Sequence, residues 1–439
     1  MEFVIDRRYL RRLFALLALI NLVFIAGTWH FAGAYRRLRG DWDHAPALLK
    51  YVGVQFNLAT ENVVAAWYSS MLLLFVALAA GMCLIDALQR AQDRRERLLG
   101  YGWFMMCGIF LVLSLDEMGS IHERLGMLAA LNPFGDQPGG WVLVLAIPIA
   151  VVALFILAFG VLVLYRQPWA LALVVIGLAF FLIDPLLEQF EMALIERGLG
   201  MGRWIVHDIL VVVEEGMEIF AALSFLGATT LYLLARLDRD TDASQDGSRE
   251  ILRVSRSGVF GVTLFIGVAW GIGMIVAVLV TPYLGAGDTG IPENWFPSSM
   301  AMLTALLAFV LARRFAPASA ARRAFDATGL LCLLLSAYVG ANLYAYLPDL
   351  RTDHPVGTDV TALAVGLAVV LAGVATARFS RGVATASVMV LACGALGSIF
   401  LWDTYTGTVV LAACALLGLA LGIELAARRR NAKDVPTSP

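Results

Sequence analysis

Across 439 residues the chain is 60% hydrophobic and 15% charged, with a mean hydropathy of +0.80. Soluble globular, disordered, collagen-like and disulfide-scaffold chains are excluded, because each needs a composition poorer in apolar runs or richer in cysteine. A net charge of −2 argues against a nucleic-acid partner or a polybasic membrane skin, and leaves a polytopic membrane protein.

A helix crossing about 30 Å of hydrocarbon needs about 20 mostly apolar residues. Twelve windows meet that requirement: 13–34, 61–88, 101–118, 140–165, 168–190, 204–235, 258–281, 297–312, 329–347, 359–377, 383–401 and 406–426. None alternates with period two, so membrane-barrel strands are excluded. The expected fold is an all-α polytopic membrane protein of about 12 transmembrane helices, arranged 6+6. The first window opens on Arg7, Arg8, Arg11 and Arg12. Its apolar stretch is longer than the core of a signal peptide, so it reads as a span. All five cysteines, Cys83, Cys107, Cys332, Cys393 and Cys414, sit inside apolar runs and read as small packing residues.

Lys and Arg set the orientation, because cytoplasmic loops carry the excess. With the N-terminus inside, 24 of the 32 fall on inner segments and 8 on outer ones. Both termini are expected in the cytoplasm, and the localisation expected is the bacterial inner membrane. Trp29, Trp67, Trp141, Trp204, Trp295 and Trp402 fall at outer ends of spans, as amphipathic rings at headgroup level do.

The polar segment 237–257 reads as a cytoplasmic linker between a six-helix half, 1–236, and a second half, 258–427, with a basic tail at 428–439. A faint repeat brackets it. Glu61-Asn62 and Trp67-Tyr68-Ser69-Ser70-Met71 open the second span, and Glu293-Asn294-Trp295-Phe296-Pro297-Ser298-Ser299-Met300 opens the eighth. Parallel repeats about an axis normal to the membrane would follow, as in many transporters.

Ionisable groups inside spans are costly and mark function by default. Here they crowd the third, fifth and sixth spans: Asp116, Glu117, His122 and Glu123; Asp184, Glu188 and Glu191; His207, Glu214, Glu215 and Glu218. At 100° per residue, Asp184, Glu188 and Glu191 fall within about 60° of one another, and His207, Glu214 and Glu218 within about 40°. Asp116, Ser120 and Glu123 share a face provided the helix runs through Gly119. Counted from the cytoplasmic end of each span at 1.5 Å per residue, Asp116, Glu117, Asp184 and Glu218 lie at roughly 22–27 Å, and His122, Glu123, Glu188 and Glu214 at roughly 30–33 Å. Both layers belong to the outer leaflet.

Crowded carboxylates at low dielectric need cations or protons to neutralise them. A divalent metal satisfies that need. Asp116, His122, Glu123, Asp184, Glu188, Glu191, His207 and Glu214 are the candidate ligands, with Glu117 and Glu218 as candidate catalytic acids and Glu61, Asn62, Ser120 and Glu215 as accessories. Mixed N/O ligation fits Zn, Mn or Fe, and Ca if the histidines stay outside. The paired Glu-x-x-His of di-iron bundles, His-Glu-x-x-His, Gly-x-Ser-x-Gly and a Walker loop are all absent.

The blocks Glu61-Asn62 with Trp67-Tyr68-Ser69-Ser70, Leu115-Asp116-Glu117 with His122-Glu123, and Glu214-Glu215 with Glu218 resemble a group of uncharacterised bacterial polytopic membrane proteins. That resemblance covers about the first half and implies that these acids work as a unit. Glu61-Asn62 with Trp67-Tyr68 is also similar to the opening block of alkaline-ceramidase-like membrane hydrolases, in which an early Glu and Asn bind calcium. The closing His-x-x-x-His of those enzymes has no counterpart, since Val211 stands four residues after His207.

Three functions are expected in order. The first is metal-dependent hydrolysis or transfer on a lipid, lipid-linked or small-molecule substrate, with membrane lipids as partners. The second is proton- or cation-coupled transport through the acidic residues. The third is a non-catalytic subunit stabilised by a cation.

Overall fold

The computed structural model describes residues 2–5, 7–38, 46, 49–50, 52–61, 63–122, 140–196, 201–241, 250–253, 292–313 and 319–341. The spans expected at 258–281, 359–377, 383–401 and 406–426, the basic tail and most of the 237–257 linker lie outside the described residues. The chain divides into two compact units, residues 2–292 and 293–439.

The first unit holds α1 (Arg7–Arg37), α2 (Val64–Arg90), α3 (Arg94–Gly119), α4 (Gly140–Leu164), α5 (Pro168–Glu196) and α6 (Met201–Thr241). Each coincides with one of the first six apolar windows, and most run past it. α3 shows why. Its polar first turns are helical because Asp93 accepts a hydrogen bond from the Glu96 amide at 2.7 Å while the Glu96 carboxylate accepts from the Gln92 amide at 2.7 Å. Those bonds satisfy donors that a helix start leaves open. Pro168 at the first position of α5 has no amide to leave unpaired. With 41 residues, α6 is about 60 Å long, twice the hydrocarbon thickness.

Among the described residues five helices are long and apolar enough to cross a membrane, namely Arg8–Ala34, Val64–Arg90, Arg94–Gly119, Leu145–Leu164 and Pro168–Leu187. Their outward faces agree. Leu13, Leu16, Leu19 and Leu22 on α1 and Ile147, Val151 and Leu154 on α4 are exposed, an apolar belt far larger than a soluble monomer carries. Lipid covers such a belt without cost.

Inside the unit, α2 packs along α3 and α5 along α6, with α6 also against α1 and α2. Aromatic rings fill the centre. Phe110 and Phe225 meet at 5.0 Å between α3 and α6, Phe181 of α5 stacks on Phe225 at 5.7 Å, and Trp103 meets both Tyr232 at 4.8 Å and Phe159 at 5.1 Å. At the ends of this six-helix run, β1 (Glu2–Ile5) pairs antiparallel with β2 (Glu250–Arg253), Glu2 opposite Arg253 and Phe3 opposite Leu252. The described part of the second unit is a helical pair, α7 (Pro292–Ala312) and α8 (Ala320–Gly340), the latter capped by Ser319, whose hydroxyl accepts from the Arg322 amide.

Candidate functional site

α3 stops at Gly119, and Ser120 turns the chain into the left-handed region at φ 44°. The helix therefore does not run on through Gly119 as the face expected of Asp116, Ser120 and Glu123 requires, and Glu123 itself lies outside the described residues. The turn folds His122 back onto Asp116 instead. Asp116 Oδ1 accepts from the His122 amide at 2.7 Å, and Oδ2 lies 2.9 Å from His122 Nδ1. A carboxylate on Nδ1 fixes the ring and puts the imidazole lone pair on Nε2. Asp116 thus serves as the orienting group for His122.

One residue along, the Glu117 side chain crosses from α3 to α6 and is hydrogen-bonded to the Glu218 side chain. Two carboxyl groups meet in this way only with a proton or a cation between them. Further acids lie near the pair. Glu61 and Glu215 lie within electrostatic range of Glu117, Glu214 and Asp184 within range of Glu215, and Asp116 and His122 within range of Glu218. Eight of the residues singled out in the sequence are thereby gathered around one carboxyl pair: Glu61, Asp116, Glu117, His122, Asp184, Glu214, Glu215 and Glu218.

Local structure explains how each arrives. Glu61 comes in on a tucked segment rather than on a helix. A 3-10 turn at Gly53–Phe56 lies against α1, where Thr28 Oγ1 accepts from the Leu58 amide at 3.0 Å, and the Gln55 side chain accepts from the Val64 amide at the start of α2 at 3.2 Å. The Asp184 carboxyl precedes Pro185, which removes one ladder bond from α5 at that level. α3 is held in register against α2 by Ser70 and Ser114, each hydroxyl donating to the other's carbonyl at 2.6 and 2.8 Å. α6 is held by Asn21, whose amide donates to the Ile219 carbonyl at 3.1 Å while its oxygen accepts from Tyr68 at 2.7 Å. Ile219 is the residue after Glu218, so a fully buried polar link ties α1 and α2 to the backbone that carries it.

His207 lies about three turns, ~16 Å, from Glu218 along α6, with its Nδ1 4.0 Å from Asp208. Asn62 and Glu123 lie outside the described residues, as do the side chains of Glu188 and Glu191. Ser120 is fully buried, and its hydroxyl has no hydrogen-bond partner among the described residues. Among the described residues no three His, Cys, Asp or Glu side chains stand in a metal-ligating group.

Two polar features escaped sequence reading. The Asn21–Tyr68 link is one. The other is at the opposite end of the bundle, where buried Asp86 of α2 meets Arg90 at 2.6 Å and Arg236 of α6 at 3.2 Å. The four-residue spacing of Asp86 and Arg90 signals the first contact; nothing in the sequence signals the second.

The sequence pattern of a family described as a domain of unknown function (DUF8692) matches residues 16–235, a stretch that runs from α1 into α6 and contains all eight gathered residues. No curated protein and no solved structure matches the chain.

Proposed function

This chain belongs to the domain-of-unknown-function family DUF8692, and from that premise we propose that it is a twelve-span protein of the bacterial inner membrane whose first six helices hold a cation in the outer leaflet. The observation that carries the reading is the Glu117–Glu218 contact between α3 and α6, with five further carboxyls and one oriented imidazole in its neighbourhood. His122 Nε2, Glu117 and Glu61 are the donors that a divalent metal would draw together, a mixed N/O set that suits Zn, Mn or Fe. A metal there supplies a water acidified toward neutrality. Glu218, beside Glu117, would receive its proton, and Asp116 would keep His122 in one tautomer. Hydrolysis of, or transfer to, a lipid-linked substrate is the chemistry that such a site would serve.

A second reading, coupled transport, draws on the same carboxyl contact with a proton in place of the metal, since acid pairs within membranes form proton relays. One preparation separates the two. The purified protein is assayed for bound metal by mass spectrometry, alone and as Glu117→Gln and His122→Ala, and is then treated with an apolar carbodiimide, which modifies protonated carboxyls. Stoichiometric metal that is lost in both variants supports the metal site. Metal-free protein labelled at Glu117 or Glu218, with pH-gradient-driven flux in liposomes, supports the relay. Protein with neither metal nor label overturns both.

A further inference from the structure

The Ser70–Ser114 clasp has a twin in the second unit. Ser298 of α7 and Ser336 of α8 donate to each other's carbonyls at 2.9 and 2.8 Å, with their hydroxyl oxygens 3.1 Å apart. In the first pair those distances are 2.6, 2.8 and 3.2 Å. Reciprocal donation of this kind needs two backbones close together at one level, and a serine on each side with no bulkier residue between. Its recurrence in two separate units is the first of four matching features.

The second is the lead-in. Trp67 stands three residues before Ser70 and Trp295 three before Ser298, each followed by an aromatic residue, Tyr68 or Phe296. Sequence alone aligns Ser69-Ser70-Met71 with Ser298-Ser299-Met300; the clasp shifts that alignment by one, so that Ser70 corresponds to Ser298. The third is the cap. The second helix of each pair opens on a side chain that accepts from the amide three residues on, Asp93 from Glu96 and Ser319 from Arg322.

The fourth feature fixes the register. Gly100 of α3 admits Leu88 of α2, whose Cδ2 would stand 2.9 Å from an added Cβ, and Gly329 of α8 admits Phe309 of α7, whose Cε1 would stand at 2.7 Å. Leu88 is 18 residues after Ser70 and Gly100 is 14 before Ser114; Phe309 is 11 after Ser298 and Gly329 is 7 before Ser336. Both arms of the second pair are shorter by the same seven residues. Seven residues are two turns to within about 20°, so their removal shortens a hairpin without turning its contact face.

We infer that α2–α3 and α7–α8 are two copies of one helical hairpin, and that only the first carries an acid pair just past the clasp. Counting from the clasp, the places of Asp116 and Glu117 are taken by Tyr338 and Val339 in the second copy. The clasp, aromatic lead-in and cap are therefore the scaffold, and the acids are an addition to it. Of the two hairpins only the first would contribute to a cation site, which rests on the cation reading above; the duplication itself does not.

Paired cysteines test the duplication without reference to any cation. In full-length protein carrying C83A, C107A, C332A, C393A and C414A, S70C/S114C and S298C/S336C are oxidised in membranes, with a protease site placed in each connecting loop so that a crosslink holds the fragments together. Both pairs are expected to crosslink at comparable rates, whereas S69C/S114C and S299C/S336C lag by at least tenfold. A crosslink at Ser299 in preference to Ser298, or none in the second pair while the first forms, overturns the correspondence. The lack of that acid pair in the second copy is read separately by carbodiimide labelling of the unsubstituted protein. Label is expected on peptides of α3 or α6, and comparable label within residues 292–341 overturns it.

Discussion

Glu117 and Glu218 face each other from different helices, so a change to either reports on the contact itself. Glu117→Gln keeps the shape and a hydrogen bond while removing one charge. Under the metal reading it is expected to lower retained metal at least tenfold, with detergent melting changed by less than ~1 kcal/mol of stability, because an amide–carboxyl bond replaces the carboxyl–carboxyl bond. Equal metal in wild type and variant would falsify Glu117 as a ligand. Ser120 offers a cleaner backbone case. Its φ of 44° strains any side chain, and its hydroxyl has no partner among the described residues, so Ser120→Gly is expected to stabilise by about 0.5–1 kcal/mol. A fall in melting temperature for that variant would show that the hydroxyl is bound. Most of the acids were legible, since a charged residue stands out in an otherwise apolar window. Their pairing was not. That Asp116 orients His122 depends on a left-handed turn at a serine, which no pattern announces, and that Glu117 meets Glu218 depends on how α3 lies across α6.

At the scale of elements, two contacts decide how α1, α2 and α6 lie together. Gly27 of α1 lets the 3-10 turn reach it, and a Cβ there would stand 2.5 Å from Phe56 Cβ and 2.9 Å from the Phe56 carbonyl. Backbone cannot move aside cheaply, so Gly27→Ala is expected to destabilise by about 1–3 kcal/mol in a detergent melt, as overpacking does, and to loosen the segment that brings in Glu61. Unchanged melting would mean that the turn does not press on α1. At the end of the bundle away from the acids, Asp86 is 6% exposed and bonded to two guanidiniums that are each about one-third exposed. Asp86→Asn leaves both arginines without their carboxylate, an expected loss of about 2 kcal/mol given the solvent that screens them, whereas Arg236→Lys is expected to lose less because Arg90 remains. Helix identities were the most legible part of the fold, because a window of 20 apolar residues has one interpretation. Helix ends were less so: the polar first turns of α3 are helical through Asp93 and Glu96, a capping exchange outside the apolar window, and the tucked turn before α2 carries no periodicity.

For the whole molecule, two observations of different origin bear on how many times the chain crosses. The arginine and lysine count places the N-terminus and the 237–257 segment on one side, and the β1–β2 pairing joins residues 2–5 to residues 250–253 physically. Strands can pair only in one compartment, so an even number of crossings lies between them; α1 to α6 provide six helices. Reporter fusions at residues 45, 130 and 200 are therefore expected outside, and those at 92, 166 and 245 inside. The second half is where the number twelve is at stake. The apolar windows there put residues 316 and 380 inside and 350 and 404 outside, and return the C-terminus to the cytoplasm, where Arg428, Arg429 and Arg430 belong. A C-terminal reporter that is active only in the periplasm would require an odd number of crossings after the linker, and the hairpin duplication would then have to be embedded in unequal halves.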